Sequence, residues 1–429
     1  MVTQKGKGMA RLSAIRGFHD YTGDILGGIE QVEAVARKTL EVAGYEPIRL
    51  PIVEYSEVFL RSVGPSSDIV QKEMYTFEDA SGRSLTLRPE GTAGFIRAYL
   101  EHGLYKERPV CRYCYSGPMF RHERPQKGRL RQFHQVGAEA MGVSDPCLDA
   151  ELITLADRIL RGLGLGGFEV HLNSIGCETC REPFKQELVA FLQKSSTMLC
   201  EDCRQRIVLN PLRVFDCKVC KEALEKAPVM LEHLCQECLE HFQAVKACLG
   251  AFGVDVSINP RIVRGLDYYN RTTFEIYPEE GGAQSVLVAG GRYDGLVETM
   301  GGPPTAGIGF ALGVERVAER LQQKEKKADL GVEKPSLAVL ALGEQEKPAL
   351  CRVLTKLWDA GTSAMPVWGP QGLKAKLRFV DKRGFRYALF PSDAGRMILR
   401  DMQTGSQSEG SSAEAGWIMA HIHALGTEG

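Results

Sequence analysis

The sequence predicts an α+β protein of two or three domains that ends in an α/β sandwich. Its 429 residues are too many for one hydrophobic core. Paired strands and amphipathic helices fill most of the chain, whereas strands and helices alternate between residues 336 and 429. In a third segment, residues 173 to 253, helical periodicity dominates and cysteines cluster. We therefore expect a helical insertion between two parts of one core.

Composition and charge narrow the classes of protein to which the chain can belong. Hydrophobic residues make up 44% of the chain and charged residues 25%, as in soluble globular proteins. The formal net charge is −1, so a nucleic-acid partner would have to be bound by local basic patches. No apolar run approaches the roughly 20 residues of a membrane span, and the first residues lack the apolar region of a secretory signal. We expect a cytoplasmic protein.

The first part of the core is predicted at residues 11–172, after a mobile basic tail at residues 1–10. Apolar spacing predicts its elements, and glycines and prolines mark their ends. In order they are a helix at 25–43, a proline-bearing strand at 45–53, a helix at 57–63, strands at 74–78 and 84–87, helices at 93–101 and 149–163, and a strand at 168–172. Thr92 is placed to cap the helix that follows it, and Glu90 is either a cap or an acceptor for an ammonium group.

A strongly basic hairpin at residues 115–142 lies at the centre of this part. Its second strand, at residues 133–141, alternates so that Gln135, Gly137 and Glu139 share one face. Arginine and lysine side chains crowd the loop before that strand. This combination suits a site that holds a polar ligand together with a polyanion, and the alternative is a solvated basic hairpin.

The second part of the core is predicted at residues 254–325, followed by a charged linker at 326–335 and the C-terminal domain at 336–429. The core elements are strands at 254–258, 272–277 and 285–289, a glycine turn with a short helix, and a glycine-bearing strand that runs into a helix at 305–320. The last domain alternates strands at 337–342, 364–368, 387–390 and 396–401 with helices at 347–360 and 373–384. We expect a mostly parallel sheet, a loose loop at 404–416 and a closing helix at 417–425.

Three arginines stand beside glycines at the ends of strands or the starts of helices, namely Arg121, Arg264 and Arg316. Arginine offers a fixed fork of donors that matches phosphate oxygens, and glycine lets the backbone approach a ligand. Together these segments would bind a nucleoside triphosphate, although a surface ion pair is the alternative for any one of them. The sequence contains no P-loop, no kinase glycine loop and no dinucleotide fingerprint.

Five segments resemble motifs of the histidyl-tRNA synthetase family. FRHERPQKGRLRQFHQVGAEAMG resembles motif 2 and GIGFALGVERV resembles motif 3, while RGLDYYNRTTFE and AGGRYDGLVE resemble the two histidine-specific motifs. LRPEGTAGFIRAY resembles the segment just after motif 1. The resemblance runs from about residue 15 to residue 404. It implies a class II synthetase core with an antiparallel sheet, a helical insertion and a C-terminal α/β anticodon-binding domain. It also implies a homodimer, with residues 45–63 in the interface.

The same resemblance implies an ATP-dependent ligase that makes histidyl-adenylate with Mg²⁺ and transfers histidine to the 3′ end of tRNA(His). Histidine binding would fall to Glu90, Gly91, Thr92, Gln135, Glu139, Tyr268 and Tyr269. Three of these, Glu90, Thr92 and Gln135, would receive the α-ammonium group. Glu139 and Tyr269 would bond the two imidazole nitrogens, and Tyr268 would wall the pocket. Arg121 and Arg264 would be catalytic, and ATP would be bound by Arg121, Arg264 and Arg316.

Two basic segments would bind tRNA by the same resemblance. Arg124, Gln126, Lys127 and Arg129 would contact the acceptor end, and the helix at residues 373–384 would face the anticodon stem. A solvated helix face is the alternative for the second segment. Two other functions remain open: a synthetase-like regulatory paralogue without aminoacylation, and a tRNA-sensing module. Such paralogues tend to lose the ATP and tRNA apparatus, which this chain retains, and the kinase domain expected beside a sensing module is missing.

Eight of the thirteen cysteines form four CxxC pairs within the predicted insertion. These are Cys177 and Cys180, Cys200 and Cys203, Cys217 and Cys220, and Cys235 and Cys238. Repeated CxxC pairs are typical of tetrahedral zinc sites, so we expect one or two structural zinc ions that the chemistry does not require. Buried free thiols are the alternative. A fifth pair, Cys111 and Cys114, lies in a predicted strand and is expected to be structural without metal.

Overall fold

The chain folds into two compact units, residues 1–329 and residues 330–429. The computed structural model describes residues 12–64, 67–106, 108, 110–124, 129–217, 219–263, 265–266, 268–279, 286–325, 337–392, 396–411 and 416–420, and the side chains of 324 and 325 are not described. The predicted basic tail and the predicted linker lie outside the described residues. The boundary between the units falls within the predicted linker.

An eight-stranded sheet forms the centre of the first unit, and most of its strand pairs are antiparallel. Its order is β1-β5-β6-β11-β10-β9-β7-β8, and the pairs at its two edges are parallel. The strands are β1 (Glu46–Pro47), β5 (Cys111–Phe120), β6 (Gln132–Met141), β7 (Phe168–Ser174), β8 (Val256–Ile258), β9 (Asn270–Pro278), β10 (Val288–Arg292) and β11 (Gly307–Gly313). The antiparallel core that the resemblance implies is confirmed.

Four amphipathic helices cover one face of this sheet. They are α1 (Gly23–Val42), α4 (Pro146–Gly162), α7 (Gln236–Phe252) and α9 (Val314–Glu325). Their apolar side chains pack with Val136, Ala138 and Ala140 of β6, which are all buried. The opposite residues of β6 therefore face away from this core, as the alternation of the sequence predicts.

A small second sheet stands beside the large one. Its order is β2-β4-β3, from β2 (Val53–Tyr55), β3 (Tyr75–Glu78) and β4 (Ser84–Leu87), and the helices α2 (Ser56–Val63) and α3 (Thr92–Glu101) lie next to it in the chain. The predicted strand at residues 45–53 was wrong in extent, because only residues 46–47 and 53 onwards are paired. Prolines at 47 and 51 offer no backbone N–H to a ladder, which limits the pairing there.

The segment after β7 forms a small cysteine-rich unit of its own. It contains α5 (Glu178–Lys194), α6 (Glu201–Leu209) and three short 3₁₀ turns around a separate apolar cluster. Helix α7, which the predicted insertion included, instead contributes Phe242, Val245 and Leu249 to the main core. A disulfide that the sequence analysis did not predict joins Cys248 of this helix to Cys147 at the start of α4.

The second unit is an α/β fold with a mixed five-stranded sheet. Its order is β13-β12-β14-β15-β16, from β12 (Leu337–Leu340), β13 (Ala364–Val367), β14 (Tyr387–Pro391), β15 (Arg396–Asp401) and β16 (Gln407–Ser411). Only the pairs of β12 are parallel, so the prediction of a mostly parallel sheet was wrong for the second half. The predicted loose loop at 404–416 in fact contains β16, which pairs with β15.

Two helices complete the described part of this unit, α10 (Lys347–Asp359) and α11 (Leu373–Lys382). A helical turn at 416–420 begins the predicted closing helix, whose remainder lies outside the described residues. Among the described helices of the whole chain, none has the length and apolar character to cross a bilayer.

Candidate active site

Strand β6 carries the centre of the site on the face that points away from the main core. Glu139 is fully buried there, Gln135 is half-buried, and Gly137 lies between them. The register places Gly137 opposite Tyr115 of β5 and Glu139 opposite Gly309 of β11. The predicted grouping of Gln135, Gly137 and Glu139 on one face is therefore what the fold presents.

Glu139 accepts hydrogen bonds from three hydroxyl groups inside the protein. Thr92 Oγ1 lies 2.8 Å and the Tyr115 hydroxyl 2.9 Å from its Oε1, and the Tyr293 hydroxyl donates to its Oε2. Burial raises the pKa of Glu139 to about 8, against the smaller lowering effect of these hydroxyl donors. A carboxylate in this environment is a strong acceptor for a polar ligand, because water does not compete for it.

Glycines keep this pocket open at three points. A side chain at Gly91 or at Gly137 would collide with the Tyr115 ring, and one at Gly309 would collide with the Glu139 carboxylate. Tyr115 and Glu139 can therefore occupy their positions only because these three neighbouring residues carry no Cβ atoms. Gly91 is thus needed to leave room for the Tyr115 ring. Its role in histidine binding stays a prediction.

Three tyrosines form a wall next to Glu139. The rings of Tyr268 and Tyr269 lie 4.6 Å apart, and the Tyr268 ring meets Tyr293 edge-on at 5.8 Å. Tyr269 is buried in the same apolar cluster as Tyr115 and Tyr293. It also lines a separate cavity of about 510 Å³, on the side of the cysteine-rich unit.

Glu90 caps the helix that begins next to this pocket. Its two carboxylate oxygens accept from the backbone N–H groups of Thr92 and Ala93, at 2.6 and 2.8 Å. The prediction that Thr92 caps this helix was wrong, because its hydroxyl donates to Glu139 and makes no capping bond. Burial raises the pKa of Glu90, and the bonds from the helix N-terminus oppose that effect.

An open cleft of about 380 Å³ lies beside the closed pocket. Its walls include Arg121, Arg316 and Gln135, so two of the three predicted ATP-binding arginines share one cleft. Arg121 donates from Nε to the Pro89 carbonyl at 2.8 Å, and its guanidinium lies 5.3 Å from the Phe133 ring centre. Burial lowers the pKa of Arg316, and the positive charges of Arg121 and Arg129 lower it further. Cations held this close together favour a polyanionic ligand.

Gln135 connects the cleft to the pocket. Its buried Oε1 has no hydrogen-bond partner among the described residues, although buried polar atoms are normally paired. The oxygen is thus available to a donor on a ligand. This fits the predicted contact with an α-ammonium group, which carries three N–H donors.

The predicted tRNA-binding loop is described only at its ends. Arg124 is exposed, and Arg129 is exposed and forms an ion pair with Glu123 at 3.1 Å on the wall of the cleft. Gln126 and Lys127 lie outside the described residues, as does Arg264, the third predicted ATP-binding arginine. Their roles stay predictions.

The eight cysteines of the CxxC pairs form two separate groups of four. One group contains Cys177, Cys180, Cys235 and Cys238, and the other contains Cys200, Cys203, Cys217 and Cys220. Within each group, all sulfurs lie within 4.8 Å of one another. Cys111 and Cys114 are buried in different apolar clusters on the two sides of β5. Their structural role without metal stays a prediction.

The sequence analysis missed three functional positions in this site. Tyr115 and Tyr293 donate to Glu139, and Glu315 accepts from the His134 backbone N–H at 2.9 Å. Glu315 thereby ties the start of α9 to β6 and fixes the position of Arg316 next to it in the chain. Only Tyr115 had a usable signal, since strand pairing places it opposite a glycine.

The large sheet is mostly antiparallel, and it carries an open cleft lined by arginines next to a closed polar pocket. This combination is that of the catalytic domain of a class II aminoacyl-tRNA synthetase. The family model described as histidyl-tRNA synthetase matches residues 17–317. The chain belongs to the histidyl-tRNA synthetase family.

Full-length relatives and a solved structure agree with this family. A "Histidine--tRNA ligase" of Trichlorobacter lovleyi is 48% identical over 403 residues, which cover 92% of this chain and 95% of the relative. One of Aquifex aeolicus is 46% identical over 402 residues, with 92% and 98% covered. The apo histidyl-tRNA synthetase of S. aureus has a TM-score of 0.76 at 30% identity and covers 94% of this chain and 97% of its own.

Proposed function

We propose that this chain is an ATP-dependent histidine–tRNA ligase. It activates histidine as histidyl-adenylate and then transfers the histidyl group to the 3′ end of tRNA(His). The family and the names of the curated relatives support this activity. The observation that carries it most directly is the position of the buried Glu139 on β6. It lies four residues from Gln135, whose side-chain oxygen has no hydrogen-bond partner among the described residues and which lines the cleft that contains Arg121 and Arg316.

The closed pocket would hold the amino acid. Glu139 would accept from one imidazole nitrogen and Tyr269 would bond the other, while Tyr268 would form the wall. Gln135, Glu90 and Thr92 would receive the α-ammonium group, with Gly91 keeping the approach free. Support comes from the unpaired Gln135 oxygen and from the Glu90 carboxyl group, whose two oxygens accept from backbone N–H groups at the start of the helix.

The open cleft would hold ATP. Arg121 would grip the α-phosphate, Arg264 would lie on its other side, and Arg316 would pack over the adenine and reach the γ-phosphate. Carboxylates line the same cleft, among them Glu275, so oxygen ligands for a hard cation are present. Mg²⁺, when bound, would neutralise charge between the phosphates. Guanidinium groups would then stabilise the charge that develops during transfer.

The reaction needs orientation and charge stabilisation, and it needs no protein nucleophile. A carboxylate oxygen of histidine attacks the α-phosphorus of ATP, the bond from that phosphorus to the bridging oxygen breaks, and pyrophosphate leaves. The terminal ribose hydroxyl of tRNA next attacks the carbonyl carbon, and AMP leaves with the bonding electrons. Arg121 and Arg264 would act on the first step, because charge builds up at the α-phosphate there.

The nucleic-acid partner would meet the chain at two basic segments. Arg124, Gln126, Lys127 and Arg129 would contact the acceptor end of tRNA(His), and α11 would contact the anticodon stem. The exposed side chains of Lys374, Arg378 and Lys382 support the second contact. Lys376 is excluded from it, because its ammonium group is buried and donates to backbone carbonyls.

The chain would act as a homodimer in the cytoplasm, where its substrates are found. Support for the dimer comes from the predicted interface at residues 45–63, which exposes four large apolar side chains. These are Ile52, Val53, Tyr55 and Leu60. Apolar side chains clustered on one exposed segment are typical of protein–protein contacts.

The two cysteine groups would each hold a structural Zn²⁺. Tetrahedral zinc with thiolate ligands places the sulfurs about 3.8 Å apart. Sulfur distances of 3.6 and 3.8 Å in the first group and 3.7 Å in the second fit that geometry. Metal analysis of protein purified without added zinc should find zinc, and metal-free folded protein would contradict the assignment.

The activity is tested by histidine-dependent exchange of pyrophosphate into ATP. We expect exchange with histidine and none with other amino acids, and we expect Arg264→Ala and Arg121→Ala to lower it by about 100-fold or more. Arg158→Ala, at an exposed position on α4, serves as the control because it should leave exchange unchanged. Folded protein without histidine-dependent exchange would contradict the proposal and favour a regulatory paralogue.

A further inference from the structure

The two cysteine groups are nested along the chain. The outer group joins the N-terminus of α5, where Cys177 stands, to the N-terminus of α7, where Cys235 stands. The inner group, Cys200 to Cys220, lies entirely within that loop. A metal in the outer group therefore fixes the point at which the cysteine-rich unit leaves and rejoins the main core. A metal in the inner group would instead join residues at the tip of the unit.

The residues just before Cys177 of the outer group form backbone hydrogen bonds with the segment that carries Tyr269. The Gly176 carbonyl, next to Cys177, accepts from the Arg271 backbone N–H at 2.9 Å, and the Ile175 N–H donates to the Arg271 carbonyl at 2.8 Å. Arg271 has a φ of 48°, the left-handed region that non-glycine residues seldom adopt. Such a conformation persists only where surrounding contacts impose it.

Two side chains that are adjacent to cysteines of the outer group also contact this segment. Arg181 follows Cys180 on α5, and its guanidinium donates to the Tyr269 carbonyl and, at 3.2 Å, to the Ile175 carbonyl. Glu237 stands between Cys235 and Cys238, and its carboxylate lies 3.5 Å from the Arg271 guanidinium. Contacts from both CxxC pairs of the outer group thus converge on residues 269–271.

The inner group contacts a different part of the catalytic core. Arg213 precedes Cys217, and its guanidinium donates to the Asp68 carboxylate at 2.7 Å. Asp68 stands just before the helical turn Ile69–Glu73. Residues 209–213, between the two inner cysteine pairs, line the same cavity as Tyr269, but the ion pair of this segment is made with Asp68 rather than with residues 269–271.

We propose that the outer cysteine group is a zinc site that positions Tyr269 for histidine, whereas the inner group is a zinc site that stabilises the tip of the inserted unit and its contact with Asp68. This rests on the proposed function, because Tyr269 is assigned there to the imidazole. Zinc in the outer group holds Cys177 and Cys235 together, and through Gly176, Arg181 and Glu237 it fixes the backbone that carries Tyr269. Arg181 is a positioning residue in this scheme.

Matched cysteine variants of the full-length protein separate the two sites. Cys238→Ser (outer) and Cys203→Ser (inner) should each lower the zinc content from two ions per chain to one, measured by mass spectrometry of the metal. In pyrophosphate exchange, Cys238→Ser should raise the KM for histidine at least tenfold with little change in the KM for ATP. Cys203→Ser should leave both KM values within about twofold. Equal effects of the two variants on the KM for histidine would overturn the proposal.

Arg181 variants test the link without removing a metal ligand. Arg181→Ala should keep two zinc ions per chain and raise the KM for histidine, and Arg181→Lys should recover part of the loss because it retains a donor. An unchanged KM in Arg181→Ala would overturn the proposed link to Tyr269. If the unmodified protein shows no histidine-dependent exchange, the proposed function itself fails. If exchange is normal and the outer variant loses zinc without a change in KM, only this inference fails.

Discussion

At the scale of single residues, the site depends on a carboxylate that the protein surrounds with hydroxyl donors. Glu139 is fully buried, and three hydroxyl groups point at its two oxygens. Imidazole carries a nitrogen on each of two opposite edges, so a pocket that binds it must offer a hydrogen-bond partner to each nitrogen. An apolar amino acid would exclude water from Glu139 and Tyr269 without bonding either of them, and this loss of free energy would let such a pocket reject apolar amino acids of similar size.

The raised pKa of Glu139 makes stability depend on pH. Burial raises the pKa of Glu139 to about 8 in the folded protein, whereas a glutamate in the unfolded chain titrates near its ordinary pKa of 4.5. Between these values the folded chain retains a proton that the unfolded chain has lost. This contribution to stability is complete below the lower value and is lost as pH rises through the higher one. The slope should reach about 1.4 kcal/mol per pH unit.

Glu139→Gln should remove this contribution. We expect the variant to show a flatter dependence of unfolding free energy on pH between pH 5.5 and 7.5 than the unmodified protein, measured by denaturant unfolding. It should also bind histidine more weakly, since an amide, unlike the carboxyl group, cannot release a proton and accept at both of its terminal atoms when histidine binds. Parallel pH profiles for the two proteins would contradict the assignment of a buried, protonated Glu139.

Residue-scale prediction from the sequence succeeded where strand alternation decides position. Gln135 and Glu139 share a face because β6 is regular over its whole length. Tyr293 could not be predicted from the sequence, because its hydroxyl reaches Glu139 across 154 positions of the chain and depends on the sheet order. Thr92 was misassigned because the local sequence favours capping, whereas its hydroxyl donates a hydrogen bond to the buried Glu139.

At the scale of elements, the pairing of β5 with β6 sets the shape of the pocket that we propose for histidine. Gly137 faces Tyr115 in the register, and a Cβ atom at that position would overlap the tyrosine ring. The Tyr115 hydroxyl can therefore reach Glu139 only if residue 137 has no side chain. Strand geometry and hydrogen bonding are coupled at this point.

Gly137→Ala should displace Tyr115 and weaken histidine binding. Loss of a hydrogen bond to a charged group corresponds to about tenfold or more in the KM for histidine, measured by pyrophosphate exchange. Gly250→Ala is the matched control, because nothing lies within 4 Å of a Cβ at that helical position. The control should keep its KM and gain about 0.5–1 kcal/mol of stability. Equal KM values for both variants would contradict the role of Tyr115.

Helix α11 divides its basic side chains between structure and surface. Lys376 is 2% exposed and donates to the carbonyls of Ala341, Val367 and Gly369, so the predicted basic helix is not basic on all sides. Lys374 and Arg378 are exposed on the same helix. Helical periodicity does separate these positions, because residues two apart on a helix point to nearly opposite faces, and Lys376 shares its face with the buried Val380. The sequence analysis grouped the residues by charge alone.

The double variant Lys374→Ala with Arg378→Ala should weaken tRNA binding in a salt-dependent way. Each lost phosphate contact should lower the slope of log affinity against log salt by about 0.7–0.9, measured by filter binding of tRNA(His) over a salt series. Lys376→Met should leave the slope unchanged and destabilise the C-terminal unit by about 1–3 kcal/mol, because it leaves carbonyls unpaired. A reduced slope in Lys376→Met with none in the double variant would contradict this division.

Elements were predictable where periodicity extends over many residues, and less so where it does not. The helices at 23–42 and 146–162 differ from their predictions by a few residues at most. Strand β16, QSEGS, carries no apolar residue and owes its conformation to pairing with β15. Its polar, low-complexity sequence gives no local signal for a strand.

At the scale of the whole molecule, one catalytic unit combines an open cleft, a closed pocket and a cysteine-rich insertion. The insertion contacts the wall of the pocket through Arg181 and contacts Asp68 through Arg213. The CxxC spacing predicted zinc sites. It could not show which CxxC pairs share a site, since four such pairs can be combined in several ways. The fold decides which pairs meet.

Assembly of two chains should depend on the exposed apolar side chains of residues 45–63. Leu60 is 47% exposed on α2, and a charge there would oppose burial in an interface. We expect Leu60→Asp to shift the protein from dimer to monomer at micromolar concentration, measured by light scattering after gel filtration. Val208→Asp, at an exposed position on α6, is the control and should remain dimeric. A monomeric unmodified protein would contradict the predicted dimer.

The most direct test is the affinity of a non-hydrolysable histidyl-adenylate analogue, measured by calorimetry together with histidine and ATP alone. If cleft and pocket form one site, the analogue should bind at least about 100-fold more tightly than either ligand. Glu139→Gln should then weaken histidine and the analogue but spare ATP, and Arg316→Ala should weaken ATP and the analogue but spare histidine. An analogue that binds no more tightly than ATP, or that is insensitive to Glu139→Gln, would contradict the account.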